Sequence, residues 1–321
     1  MGWVRAVIAL CCIELLGAGM RQPGDADFYI AWQGITRHYT VHAPAGGARG
    51  RALPVVLALH GAGGTGASII RQGHWADLSD ADGFLVVAPD AEPADLRFMA
   101  RPLTNPTAWN DGSGRGPWAR RDVDDVGFIG HVLDDVARRY PIDRTRVYAT
   151  GFSSGASMTW RLGAEFADRL AAIAPVSGHL WLNPTTLPHP LPVLFIAGNA
   201  DPLNPLAGGE APNPWGGTDV KPPLLASTAK WARLLHCAAE PPHDVDERGL
   251  EVRVYAGCTA ELWVEIVDGL GHRWPGGVDP LPDRLVGPPS NRLDASREIW
   301  DFFARHAWTG VAAPSEPSAP R

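Results

Sequence analysis

R-V-Y-A-T-G-F-S-S-G-A-S runs from Arg146 to Ser157. Its first half is β-branched and aromatic, as a buried strand is, and its second half is compatible with a helix. Between them stands Gly151-Phe152-Ser153-Ser154-Gly155, a G-x-S-x-G with a strand before it and a helix after it. Bare matches to that pattern are frequent, and the flanking elements give this one its meaning. So sharp a turn leaves no room for a side chain at Gly151 or Gly155. It lifts the Ser153 hydroxyl above a sheet, beside a helix N-terminus whose backbone favours an anion. The alternative is an ordinary glycine-rich strand-to-helix turn. Ser154 holds the variable position: its N–H, rather than its hydroxyl, is the group expected to matter.

Outward from this turn, strand and helix signals alternate. Pro54 to His60 is a continuous apolar run, as expected for a parallel strand covered on both faces. Phe84 to Ala88, Ala171 to Val176 and Pro192 to Ala197 repeat it. Arg37 to His42 reads as an early edge strand, and Glu251 to Tyr255 and Glu261 to Val267 as two late strands about a turn at Gly257. Asp122 to Tyr140 is the clearest helix, with Val126, Ile129, Leu133, Val136 and Tyr140 on one face. Asp134/Arg138 and Asp135/Arg139 stand at i,i+4 on the other. Leu224 to His236 and Asn291 to His306 are two more helices. The order predicts an α/β fold with a mostly parallel central sheet and helices on both faces. Pro202 to Pro223 is rich in proline and glycine and reads as an irregular surface loop near the strand ends.

A serine hydroxyl needs a neighbouring base, usually histidine, oriented by a carboxylate. With this type of turn the chain order is Ser, acid, His. His272, in D-G-L-G-H-R-W-P-G-G, follows a strand end at Val267 and precedes a loop broken by proline. His236 and His306 fall on helices, while His179, His189 and His243 lie in loops without that setting. The alternative for His272 is a surface-loop histidine. For the acid, Leu194 to Pro202 (L-F-I-A-G-N-A-D-P) carries a strand into a turn that presents Asp201. Asp219 and Asp268 are rivals, and Asp168 lies too close to the nucleophile helix. Leu59-His60-Gly61-Ala62-Gly63-Gly64 ends an early strand in a glycine-rich turn, the place for backbone donors to a developing oxyanion. Ala62 N–H and Ser154 N–H are the expected pair, with His60 a structural hydrogen-bonder.

The chain has 321 residues, 45% of them hydrophobic, with 13 Trp and a net charge of −7. It can bury a large core, and no Lys/Arg patch suited to nucleic acid is visible. Lys221 and Lys230 are its only lysines. Arg5, the apolar run Ala6 to Leu16 and Gly17-Ala18-Gly19 read as a signal peptide over residues 1–19, with Glu14 the exception inside the run. A lipid anchor at Cys11 or Cys12 is the alternative, though Leu10 is large for that signal. The run is too short to span a bilayer. Export would place the protein in the medium or the periplasm, where Cys237 and Cys258, 21 residues apart, can oxidise to a disulfide. Two unrelated buried thiols are the alternative. One catalytic domain is expected over residues 25–308, with a disordered tail over 309–321.

L-H-G-A-G-G, W-N-D-G, V-D-D-V-G-F, R-V-Y-A-T-G-F-S-S-G, A-P-V-S-G, G-N-A-D-P and G-H-R-W-P-G-G occur in that order between Leu59 and Gly277. Together they resemble the polyhydroxybutyrate depolymerase-like esterases, which are similar to feruloyl and acetyl xylan esterases. The resemblance implies an α/β-hydrolase fold with Ser153, Asp201 and His272 as its triad. It also implies that Trp109, Asn110 and Trp274 line an acyl pocket. G-N-A-D-P replaces the more usual G-T-A-D-P, and Ala156 replaces a second glycine after the nucleophile. No substrate-binding module follows the catalytic region, which turns the expectation from crystalline polymer towards soluble short-chain, hydroxycinnamoyl or 3-hydroxybutyrate-type esters. Polymer depolymerisation is the alternative within the family. Trp118, Trp181 and Trp215 also fall in loops, where tryptophans ordinarily pack against the core. Without a metal cluster, G-x-G-x-x-G or P-loop, no cofactor or metal is implied. A serine peptidase or amidase would share the triad, and a non-catalytic hydrolase-like binding protein would be expected to have lost a triad member.

Overall fold

A computed structural model describes residues 24–310 except 49, 121, 239–243, 247–248, 280 and 309. The proposed leader, and the tail apart from Gly310, lie outside the described residues. Among the described residues twelve strands are formed: β1 Asp25–Trp32, β2 Ile35–His42, β3 Leu53–Leu59, β4 Leu85–Pro89, β5 Ile142–Phe152, β6 Ala172–Val176, β7 Val193–Gly198, β8 Gly209–Pro212, β9 Thr218–Lys221, β10 Asp244–Val245, β11 Leu250–Val254 and β12 Leu262–Val267. Ten of them make one sheet in the order β1-β2-β4-β3-β5-β6-β7-β12-β11-β10. Its centre, from β4 to β12, is parallel, and both flanks are antiparallel.

Every residue of β3, β4, β6 and β7 is buried, as continuous apolar runs require when both faces are covered. Alternate residues of β3 feed two cores. Val55, Leu57 and Leu59 join helices α4 (Asp125–Arg139), α5 (Ser154–Glu165) and α6 (Ala226–Leu234), through Phe128, Leu133, Met158, Trp160 and Trp231. Val56 and Ala58 face α1 (Gly66–Gln72), α2 (Trp75–Asp82) and α8 (Ala295–Phe303), through Ile69, Trp75, Trp300 and Phe303. Two short helices, α3 (Gly116–Arg120) and α7 (Asp283–Val286), lie in loops.

Three expectations are corrected. Arg37 to His42 is not the edge: β1 pairs along the whole of β2 and forms the edge itself. The stretch from Pro202 to Pro223 contains an antiparallel hairpin, β8 with β9. Asp134 does not pair with Arg138 but reaches Arg169, 2.7 Å away. Asp135 takes both Arg138 and Arg139 and also accepts from the Tyr39 hydroxyl.

Candidate active site

The parallel strands deliver their loops to one edge of the sheet, where ligands bind in open α/β folds. Strand β5 ends at Phe152, and Ser153 takes φ 56° before α5 begins at Ser154. A left-handed backbone at serine is strained and persists because its surroundings fix it. Here the fixing is steric: a Cβ on Gly155 would lie 2.2 Å from the Leu59 carbonyl oxygen, and one on Gly151 2.5 Å from that of Gly155. The Ser153 N–H also donates to the Val176 carbonyl at 3.0 Å.

Beyond β12, His272 reaches back across this turn. Its Nε2 lies 2.8 Å from Ser153 Oγ and its Nδ1 2.7 Å from Asp201 Oδ2. A carboxylate only accepts, so Nδ1 carries the proton and Nε2 is left to accept from the serine hydroxyl. Asp201, in the turn after β7, has a fully buried side chain whose Oδ1 accepts from the Leu203 and Asn204 N–H groups at 2.8 and 2.7 Å. Burial pushes its pKa up, but His272 and these N–H donors hold it below the ordinary value. The rivals are engaged elsewhere. Asp268 accepts from Asn199, and Asp219 faces Asn213 and Arg115.

The turn after β3 packs on Ser153, since a Cβ on Gly61 would stand 3.4 Å from Ser153 Cβ. His60 accepts the Ala91 N–H on Nε2 and donates from Nδ1 to the Gly61 carbonyl, and burial lowers its pKa, so it serves as a neutral strut. Gly63 and Gly64 spend their N–H groups on Thr107 and Gly61. Among the described residues the N–H groups of Ala62 and Ser154 have no acceptor.

The three residues expected in an acyl pocket are buried and engaged with the scaffold. Trp109 is 3% exposed, donates to the His60 carbonyl and packs on the His60 ring. Asn110 is clamped by Val123, Asp125 and Arg161. Trp274 is 2% exposed, donates to Ser296 and packs edge-on against Phe152. Large aromatic rings are held by core contacts here, and their N–H groups find partners there. The V-D-D-V-G-F segment is likewise scaffolding. Asp124 caps α4, and Asp125 pairs with buried Arg37 at 2.9 Å.

Sequence reasoning missed a brace behind Asp201. Lys221 Nζ, at the end of β9, donates to the Leu203 carbonyl at 2.6 Å and to Asn204 Oδ1 at 2.7 Å. Asn204 in turn donates to the Ser177 carbonyl. One signal was visible: Lys221 is one of two lysines in a chain that otherwise uses arginine. Cys237 and Cys258 form a disulfide. Among the described residues no group of three His, Cys, Asp or Glu side chains is placed to hold a metal, and no helix is long and apolar enough to cross a membrane.

A parallel sheet with a serine on a strained strand-to-helix turn, lined up with a histidine and a carboxylate, defines an α/β-hydrolase. Residues 45–215 match the phospholipase/carboxylesterase family, and the chain belongs to it; it is a carboxylic ester hydrolase. It is 29% identical over 297 residues to "Putative esterase NocK" of Nocardia uniformis subsp. tsuyamanensis, covering 84% of this chain and 80% of that one. It is 26% identical over 245 residues to poly(3-hydroxyalkanoate) depolymerase C of Paucimonas lemoignei, covering 71% of this chain but 56% of that enzyme. Among solved structures, acetyl xylan esterase from Aspergillus awamori superposes with a TM-score of 0.56 at 16% identity, over 87% of this chain and 99% of that one. That likeness is one of fold.

Proposed function

We propose that the chain hydrolyses carboxylic esters through an acyl-enzyme on Ser153, with His272 as base and acid and Asp201 orienting it. The observation that carries this is the continuous line from Ser153 Oγ through His272 to buried Asp201, at 2.8 and 2.7 Å. His272 takes the serine proton as Oγ attacks the ester carbonyl. The tetrahedral oxyanion forms against the Ala62 and Ser154 N–H groups. His272 then protonates the departing alcohol, and water repeats the sequence to free the acid. Short-chain, hydroxycinnamoyl and 3-hydroxybutyrate-type esters are the proposed substrates, supported by the family and by the names of its relatives. An amidase would use the same triad, and family membership favours the ester.

The catalytic domain is proposed to occupy residues 25–308. Export to the medium or periplasm is supported by the disulfide, which such compartments maintain. Ser153→Ala is expected to abolish turnover and fluorophosphonate labelling while circular dichroism stays native. Full activity in that variant, with Ser154→Ala inactive, would reassign the nucleophile.

One observation favours a second substrate, an insoluble polyester. The loop from Pro93 to Thr107, which packs on the oxyanion turn, exposes Leu96, Phe98, Met99 and Leu103, with Phe98 64% and Met99 83% accessible. Asn105 fixes this display with side-chain bonds to Asp95, Phe98 and Met99. Contiguous exposed apolar groups mark surfaces that dock on something apolar. Soluble ethyl esters are expected to be cleaved faster than a polyhydroxybutyrate film is cleared. Comparable rates, with clearing lost in Phe98→Ser/Met99→Ser, would make the polymer the substrate.

A further inference from the structure

The chain leaving β6 runs beside the nucleophile. A Cβ on Gly178 would stand 2.5 Å from the Ser153 carbonyl oxygen, and the His179 N–H donates to Ser157 Oγ at 3.1 Å. His179 is 2% exposed; among the described residues neither ring nitrogen has a partner at hydrogen-bond length, and a side-chain influence that favours its protonated form comes from Asn204. Among the same residues the buried Nε1 of Trp181, whose ring lies 4.7 Å from that of His179, likewise has no partner at that length. Buried polar atoms without partners are rare and call for a cause. Three in two adjoining rings, on the segment whose backbone packs against the Ser153 turn, are what a site awaiting a polar group would show.

The charges around these rings give the sign of that group. The Arg115 guanidinium lies 4.0 Å over the Trp181 ring, and its nearest carboxylate, Asp219, is 3.7 Å away, beyond hydrogen-bond length. Burial, then the positive charges of Lys221 and Arg115, push the His179 pKa down to about 3, so the ring is neutral near pH 7. The neighbouring carboxylates offset little of this. Asp201 is committed to His272 and its own turn, and burial raises the pKa of Asp111. A guanidinium, an indole N–H and an imidazole N–H are all donors, and an acceptor-only carboxylate is their complement.

We propose that Arg115, Trp181 and His179 form a subsite for a free carboxylate carried by the ester substrate. The substrates it selects are half-esters of dicarboxylic acids and hydroxy-acid oligomers with a free carboxyl end. The inference rests on Ser153 being the nucleophile. Lys221, spent on the acid loop, contributes field rather than contact.

The test compares monoethyl glutarate with ethyl pentanoate, which matches it in length but lacks the charge, by pH-stat at neutral pH. The wild type is expected to favour the half-ester in kcat/KM by about ten-fold, through KM, as one charge-assisted hydrogen bond allows. Arg115→Gln should collapse that ratio. Asp219→Asn, which removes the carboxylate competing for Arg115, should lower KM for the half-ester, a gain that misfolding cannot produce. The preference should also weaken as salt is raised. Equal kcat/KM for the two esters in the wild type, or an Arg115→Gln loss shared equally by both, would overturn the subsite and leave the nucleophile standing. Failure to hydrolyse either ester, with Ser153 unlabelled by fluorophosphonate, would instead sink the nucleophile.

Discussion

Replacing Asp201 by Asn should slow turnover about 10⁴-fold, the scale seen when a triad carboxylate becomes an amide. The structure says why. Oδ1 accepts two backbone N–H groups, from Leu203 and Asn204, so in the variant the amide oxygen must stay at that position. The amide nitrogen is thereby turned towards His272, whose Nδ1 lies 2.7 Å from the other oxygen in the wild type. Two donors cannot face each other, so Nδ1 gives up its proton and Nε2 carries it instead. Nε2 then points an N–H at Ser153 Oγ and cannot take the serine proton. A 10⁴-fold loss corresponds to about 5.5 kcal/mol of barrier. It should appear in kcat with KM little changed, and in a matching fall in the fluorophosphonate labelling rate, while the thermal midpoint stays close to wild type. Asp268→Asn is the control, because among the described residues the Asp268 side chain holds Asn199 and Arg292 at an exposed turn. Asp201→Asn within ten-fold of wild type, or a crippled Asp268→Asn, would refute the assignment.

Opening the Cys237–Cys258 bridge, which closes a separation of 21 residues, should cost about 3 kcal/mol on the chain-entropy model. Chemical denaturation of the Cys237→Ser/Cys258→Ser variant measures it, and in the wild type these thiols should titrate only after reduction. Stability should fall on acidification below neutrality. Burial lowers the pKa of His60, His179 and His306 in the fold, so each favours the folded state fully above the unfolded value of 6.5 and loses that contribution as pH falls. For His179, with a folded value of about 3, the loss at pH 5 is about 2 kcal/mol. His38 acts in the opposite sense: Asp90 and Asp27 raise its pKa against burial, so its contribution is present below 6.5 and fades as pH rises through the folded value. A thermal midpoint unchanged between pH 7 and pH 5 would show that the buried histidines do not control it, and His179→Asn should flatten the decline.

The amino-acid order alone determined the central strands, because a strand covered on both faces must be apolar at every position, and β3, β4, β6 and β7 are. It also marked the sharp turn at Ser153, since Gly151 and Gly155 announce a close approach of backbone, and it placed Asp201 and His272 at strand ends. Other features depended on what packs against what. β1 reads D-A-D-F-Y-I-A-W, half polar, and becomes a strand only by pairing with β2. The β8–β9 hairpin hides in a proline- and glycine-rich stretch, and its Lys221 reaches the acid loop only once the chain has folded back. Asp134 had Arg138 at helical spacing, yet tertiary packing brought Arg169 to it. Trp109, Asn110 and Trp274 stand in motifs read from sequence, but that they are buried and which groups hold them came only with the fold. For His179, sequence showed a loop histidine; its burial and the two cations beside it, Lys221 and Arg115, came from segments far apart in the chain. Periodicity and turn chemistry are carried by neighbours in sequence and can be read there. Burial and charge are set by neighbours in space, which only the closed fold supplies.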